Sequence, residues 1–238
     1  MPQMQPNVKL LRYSPAPEEL VAMAGRLCYS PADLDTLEQR VGAKDQSTYL
    51  KKVSSMGHHS LLEHASFTFG LEGVSRALLA QITRHRIASF SVQSQRYVGM
   101  DEDFDFVVPE SVQALGEEAV AEFCRQMEQI GKWYMGWMDR VPKEDARFLL
   151  PNAAATRIIV TMNARELLHF FSLRCCSRAQ WEIREVAWRM LEAAREAAPA
   201  IFEHAGPPCL RGACPEGAMT CGHPEEPRAR AALRKNTD

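Results

Sequence analysis

No run of about 18 or more apolar residues occurs in the 238-residue sequence, so no transmembrane helix is expected. The opening stretch MPQMQPNVKLLRYS lacks the charged-then-apolar order of a signal peptide, which makes the cytoplasm the expected compartment. Excess charge is missing too. A formal net charge of -2 gives no bulk basic surface for nucleic acid and leaves only local arginine clusters. There is no internal repeat and no clear linker within residues 1–205. Seven cysteines, an odd count without a secretion signal, argue against a disulfide framework. What is present is 46% hydrophobic residues, enough for one substantial core, and an ordinary 24% of charged residues.

The pattern along the chain alternates short strands with helices. A strand is expected at Val8–Tyr13. Pro17 with Glu18 and Glu19 suits the first turn of a helix running to about Cys28, and another helix is expected from Asp45 to Met56, ended by Gly57. In Ala65–Leu71, Phe67, Phe69 and Leu71 alternate with Ser66, Thr68 and Gly70, the period of a strand. Val74–Arg86 reads as a helix with Leu78, Leu79 and Ile82 on its apolar stripe. The serine-rich Ser89–Tyr97 has no helical period and reads as a loop. A long helix is expected from about Ser111 to Arg140, then a shorter one around Lys143–Leu149 beyond Pro142. Arg157–Met162 is β-branched and apolar, hence a strand. Asn163 with Glu166 three residues on signals a capped helix whose buried side is Leu167, Leu168, Phe170 and Phe171. A final amphipathic helix covers about Gln180–His204.

From Gly206 onward, Gly, Pro, Cys and charge replace apolar periodicity. The expected organisation is one domain over residues 1–205 and a tail over 206–238, with Pro224–Asp238 mobile.

Three clusters carry chemistry. The first is Arg84-His85-Arg86, then seven residues to Ser94, followed by Gln95 and Arg96. Taken alone, the RHR run is more often helix capping or solvated surface. With the serines and Arg96 it offers forked donors and hydroxyls suited to phosphate. The second is Gly57-His58-His59-Ser60-Leu61-Leu62-Glu63-His64. It does not fit the H-E-x-x-H zinc helix, so cofactor contact or structural hydrogen bonding is the better reading. The third joins Arg147 to Asn163, Arg165, His169, Arg174 and Gln180-Trp181-Glu182. Any one of these arginines in isolation reads as a C-terminal cap.

In this order and spacing the clusters resemble the flavin-dependent thymidylate synthase family (ThyX), over roughly Ala16 to His204. Its signature, RHR and then Ser after seven or eight residues, stands here as Arg84 to Ser94. Arg96, the NAR of Asn163–Arg165, Arg174 and the AQWEI of Ala179–Ile183 also match. The resemblance implies an α/β (α+β) subunit with a small, mostly antiparallel sheet packed with several long helices. It implies a homotetramer with active sites shared between subunits. It implies a methyltransferase that converts dUMP to dTMP, with FAD as cofactor, 5,10-methylenetetrahydrofolate as carbon donor and NADPH as reductant. FAD would be held by His58, Ser60, Arg84, His85, Arg86, Asn163, Arg165 and His169. The substrate dUMP would be held by Gln81, Arg84, Ser94, Gln95, Arg96, Arg147 and Arg174, with Arg174 activating the uracil ring. Two positions depart from the family. Some relatives carry a glutamate where this chain has Val92 or Gln93, and Arg178 stands where some have histidine.

Methylation at uracil C5 needs a nucleophilic C5. A cysteine thiolate could attack C6, and only the pair Cys175–Cys176 lies within the motifs. The alternative is electrostatic: a permanently charged Arg174 beside the ring favours its enolate-like form. Ser94 has no sequence-adjacent base and is assigned to nucleotide binding. No metal ligand is assigned. In the tail, Cys209, Cys214, Cys221 and His223 could in principle close a tetrahedral zinc site, but the two-residue spacing of zinc ribbons is missing. A flexible tail whose thiols are reduced in the cytoplasm, or pair with one another on oxidation, is the alternative.

Overall fold

The computed structural model describes residues 4–99 and 104–232. In chain order the elements are β1 (Asn7–Tyr13), α1 (Pro17–Leu27), α2 (Leu34–Gly42), α3 (Ser47–Ser55), β2 (Ser66–Ser75), α4 (Arg76–Ile82), β3 (Ala88–Val92), α5 (Glu110–Gln113), α6 (Glu117–Met138), α7 (Lys143–Ala146), β4 (Ala155–Asn163), α8 (Ala164–Arg174), α9 (Trp181–Ala197), α10 (Pro199–Phe202) and α11 (Glu225–Ala232). The strands form one sheet in the order β1-β2-β4-β3, so the architecture is the expected α+β one with a small antiparallel sheet. The chain divides into two compact units. Of the described residues, one comprises 4–8, 70–86, 90–99 and 104–160; the other comprises 9–69, 87–89 and 161–232.

The first unit is built on α4 to α7. Its core joins Phe104, Phe106, Val108, Met127 and Ala154, with Phe123 and Ile130 of α6 packed against them. Phe106 meets Phe104 at 6.2 Å and Phe123 at 6.1 Å, centroid to centroid, in tilted geometries that aromatic rings prefer. Gly73 has a positive φ of 65°, and a Cβ there would lie 2.4 Å from the Gln5 carbonyl oxygen, so this crossing requires glycine. Ser75 caps α4 by accepting from the Leu78 amide at 3.0 Å.

The second unit packs α1 to α3 and α8 to α11. Phe202 of α10 sits edge-on to Phe67 at 5.3 Å and to Phe171 at 5.9 Å. Helix α9 buries Ile183, Val186, Ala187, Met190, Leu191 and Ala194, the helical spacing that drives its docking. Of these, Ile183, Val186, Met190 and Leu191 each contribute about 1.5–3 kcal/mol when fully buried.

Several expectations change. Helix α2 was not anticipated; Asp33 caps it through the Thr36 amide at 2.8 Å, and Leu37 and Val41 bury its inner face. The stretch expected as a loop contains strand β3, in which Ala88, Phe90 and Val92 are half-buried and Ser89 and Ser91 exposed. That two-residue alternation, not a helical period, was the signal. The long helix breaks at Gly116, whose φ of 102° separates α5 from α6. Helix α4 starts only after the Ser75 cap. The last amphipathic helix stops at Ala197, where Pro199 forbids continuation. Within the stretch expected to be mobile, Glu225–Ala232 is helical, and residues 233–238 lie outside the described residues. Arg230 reaches Glu185 at 2.6 Å and Arg228 donates to the Cys209 carbonyl at 3.0 Å, contacts that composition alone does not announce.

Candidate functional site

In the second unit the capping signature positions the first group of site residues. The Asn163 side chain accepts from the Glu166 amide at 2.9 Å, starting α8 where β4 ends. Arg165 and His169 follow at i and i+4, hence on one face, and both are exposed. Arg165 forms an ion pair with Glu63 of the 3-10 turn His59–His64. These groups line a cavity of about 1350 Å³ that contains Asn163, Arg165 and His169 together with His59. His58 and Ser60 flank His59 and are exposed, but do not line the cavity themselves.

Lys51, Lys52 and Arg211 add positive charge to the wall, while Leu62, Leu168 and Ile201 make part of it apolar. A wall of that kind suits an elongated ligand with an anionic part and a flat apolar part. The lysines and Arg211 were missed by the sequence reading; they are scattered and carry no local pattern. Leu168, expected to be buried in the core, is only half-buried because it faces this cavity. Arg174, the last residue of α8, is half-buried and is not part of this wall.

In the first unit, α4 ends at Ile82, short of the helix end expected at Arg86, and the RHR run follows in the turn beyond it. The Arg84 amide donates to the Gln81 carbonyl at 3.3 Å and the His85 amide to Ile82 at 3.1 Å, so the run closes the helix with a tight turn. Arg84 and Arg86 are exposed, and His85 is only 5% exposed. Beyond β3, Ser94 turns the chain: its hydroxyl accepts from the Arg96 amide at 3.1 Å and its carbonyl from Val98 at 3.0 Å. Ser94 and Gln95 line a second cavity, of about 370 Å³, with Arg76, Thr156 and Arg157.

Arg76 donates through Nη2 to the Gln93 carbonyl at 3.0 Å. Arg76 Nε, Gln95 Nε2 and Thr156 Oγ1 are buried without a partner among the described residues. Each such group costs about 1–3 kcal/mol if left unsatisfied, so the cavity is built for a polar guest. Burial, and after it the charge of Arg147, pulls the Arg76 guanidinium below its ordinary value. Arg96 pairs with the Glu144 carboxylate, and Arg147 Nε donates to the Glu144 carbonyl at 3.1 Å. Glu144 thus gathers two of the expected nucleotide arginines, one from the serine loop and one from the turn after α7. Arg76 and Thr156 were not foreseen. A cation in the first turn of α4 opposes the helix dipole, and that misplacement was the available signal for Arg76.

The thymidylate synthase complementing protein family model (Thy1) matches residues 9–200. A flavin-dependent thymidylate synthase of Geobacter sulfurreducens is 55% identical over 222 residues, covering 92% of this chain and 95% of the relative. Enzymes of the same name from Clostridium tetani (44% identical, 92% and 94% covered) and Pyrococcus horikoshii (45%, 88% and 90%) are also similar. Among solved structures, the UMP/dUMP methylase PolB of Streptomyces cacaoi, crystallised with 5-Br dUMP, has a like fold. Its TM-score is 0.71 at 24% identity, covering 84% of this chain and 94% of that one.

Proposed function

This chain belongs to the thymidylate synthase complementing protein family, and we propose that it is a flavin-dependent thymidylate synthase that methylates dUMP to dTMP. The observation that carries the reading is the α8 cavity, where Asn163, Arg165 and His169 stand together beside the His58–Ser60 segment. Its cationic and apolar walls fit FAD, which has an anionic pyrophosphate and a flat ring. When bound, FAD supplies reducing equivalents. Arg84, His85 and Arg86 are the further flavin contacts in this reading.

For dUMP, the donor-rich surface of Ser94, Gln95 and Arg96 receives the phosphate, with Arg147 beside Arg96 on Glu144 and Arg76 below the loop. Gln81 and Arg84 lie at the end of the neighbouring helix and hold the nucleotide's other end. Arg174 stays charged and stabilises negative charge developing on the uracil ring, which drives electron density toward C5. The covalent alternative through Cys175 has little support. That thiol is 1% exposed, and burial drives it far above its ordinary value, so it holds its proton. The carbon donor in this reading is 5,10-methylenetetrahydrofolate and the reductant is NADPH, with tetrahydrofolate released.

Assembly is proposed as a homotetramer with shared sites. Tyr29, Phe148, Leu115 and Tyr97 are 86%, 85%, 77% and 74% exposed, apolar surface that contacts between subunits would cover. Among the described residues no helix is long and apolar enough to cross a membrane, and the cytoplasm is the proposed location. The test is anaerobic incubation of purified protein with FAD, methylenetetrahydrofolate, NADPH and dUMP. Formation of dTMP is expected, from a preparation with a flavin absorption band; a flavin-loaded protein that leaves dUMP unchanged would overturn the reading.

A further inference from the structure

The cysteines of the C-terminal segment have no part in the proposed reaction, yet the fold does not leave them apart. Two contacts fasten this segment to the turn after α8, and a third ties Cys209 to the helix that one of them holds. Ser177 Oγ donates to Glu226 at 3.0 Å, Arg178 pairs with Glu216 at 2.9 Å, and Arg228 holds the Cys209 carbonyl at 3.0 Å. Ser177 and Arg178 directly follow Cys176, and Glu216 lies two residues after Cys214. The anchors therefore bring Cys176 to the loop that carries Cys209, Cys214 and Cys221.

We propose that Cys176, Cys209, Cys214 and Cys221 bind one zinc ion as four thiolates, tying the C-terminal segment to the end of α8. The ligand set differs from what spacing in the tail suggests. The His223 ring is turned to Glu225 at 3.2 Å and is 63% exposed, whereas Cys176, over thirty residues upstream, stands on the anchored turn. Cys209 is 8% exposed, while Cys176, Cys214 and Cys221 are half-buried, so a metal here would be largely shielded from water.

Among the described residues, no three of these sulfurs lie within 4.8 Å of one another. Zn–S bonds of about 2.3 Å in a tetrahedron set a sulfur separation of about 3.8 Å, so binding draws the loop inward. Open space borders the loop at Gly212, Gly217 and Gly222, where an added Cβ would meet nothing within 4 Å. Binding exchanges four thiol protons, released to water, for one divalent cation, with no change in oxidation state. The site then carries a net charge of about -2. Arg184, which donates to the Ser177 carbonyl at 2.8 Å, and Arg228 lie alongside to offset it.

The test uses the full chain, purified anaerobically without a metal-binding tag or chelator, and analysed for zinc, iron and acid-labile sulfide. About one equivalent of zinc per chain is expected. Cys176→Ser and Cys214→Ser should reduce it to below about a tenth, while His223→Ala and Cys124→Ser should retain it. Should the cysteine variants misfold, titrating the unaltered protein with a mercurial serves instead. Zinc is expected to leave as four thiols are blocked, and cobalt in its place is expected to give thiolate-to-metal charge-transfer bands. Zinc below about a tenth of an equivalent, iron with sulfide in its place, or zinc lost with His223→Ala but kept with Cys176→Ser would each overturn the proposal. Flavin content and dTMP formation are read separately, so failure here leaves the proposed activity standing.

Discussion

The carboxylate of Glu144 is paired with the guanidinium of Arg96, and the same residue's carbonyl accepts from Arg147. One residue of α7 therefore fixes the spacing of two cations at the serine turn. If the pair receives the dUMP phosphate, Arg96→Ala removes a charge-assisted contact made equally to substrate and transition state. Such a contact is worth about 1.5–3 kcal/mol, so KM for dUMP should rise roughly 10- to 100-fold with kcat little changed. Anaerobic steady-state kinetics measure both. A KM within about twofold of the unaltered enzyme would remove Arg96 from the phosphate site.

Asn163 has two duties that substitutions can separate. As the N-cap of α8 it holds the Glu166 amide, and as a wall residue it faces the cavity. Asn163→Ala should cost about 1 kcal/mol of stability and weaken flavin retention. Asn163→Asp keeps a capping oxygen and suits the helix dipole, so stability should be retained while the new negative charge expels an anionic cofactor. Urea unfolding of flavin-free protein reads the first effect, and flavin fluorescence after gel filtration reads the second. Full flavin occupancy in both variants would leave Asn163 as a cap alone.

Arg174→Ala tests ring activation. Charge stabilisation at a developing anion is worth about 2–4 kcal/mol, so turnover should fall roughly 30- to 1000-fold while flavin content stays unchanged. Arg174 is not part of the α8 cavity wall, which is why the two readouts should separate. Near-normal kcat would return the residue to the role of a helix-end cation.

The parts of the fold that were legible are those where one local signal dominates. Phe67, Phe69 and Leu71 show their burial by alternation, and Asn163 shows its cap by the residue that follows at i+3. The RHR run and Ser94 were legible as a pattern but not as geometry, because the turn depends on backbone bonds from Arg84 and His85 back into α4. Arg76 offered only a cation misplaced at a helix start, and Thr156 offered nothing. Each acquires meaning only when β4 and the serine loop enclose a common space, a tertiary fact with no periodicity. Helix α11 was hidden for a related reason. Glu225–Ala232 has almost no apolar face, and what holds it is ion pairing to a helix some forty residues earlier.

That ion pairing gives the last expectation. Glu185 of α9 accepts from Arg230 of α11 at 2.6 Å and from Arg189 at 2.7 Å, and the Arg230 guanidinium also lies 5.2 Å from the Trp188 ring centroid. Burial alone would raise the Glu185 carboxyl, but the hydrogen bonds from Arg230 and Arg189 outweigh it and hold the group below its ordinary value of 4.5. A carboxyl depressed in the folded state contributes stability that is present above its unfolded value and is lost as pH falls through the folded one. Arg230→Met keeps apolar contact with Trp188 but removes the pairing, and should lower stability by up to about 1 kcal/mol at neutral pH. The gap between the variant and the unaltered protein should hold from neutral pH to about 5 and then close as Glu185 takes up its proton in the latter. Thermal melts across that range measure the gap, and limited proteolysis shows whether α11 is the part released: the variant should be cut sooner near residue 225. A gap that does not change between neutral and acid pH would assign the docking of α11 to packing against Trp188 instead of to charge.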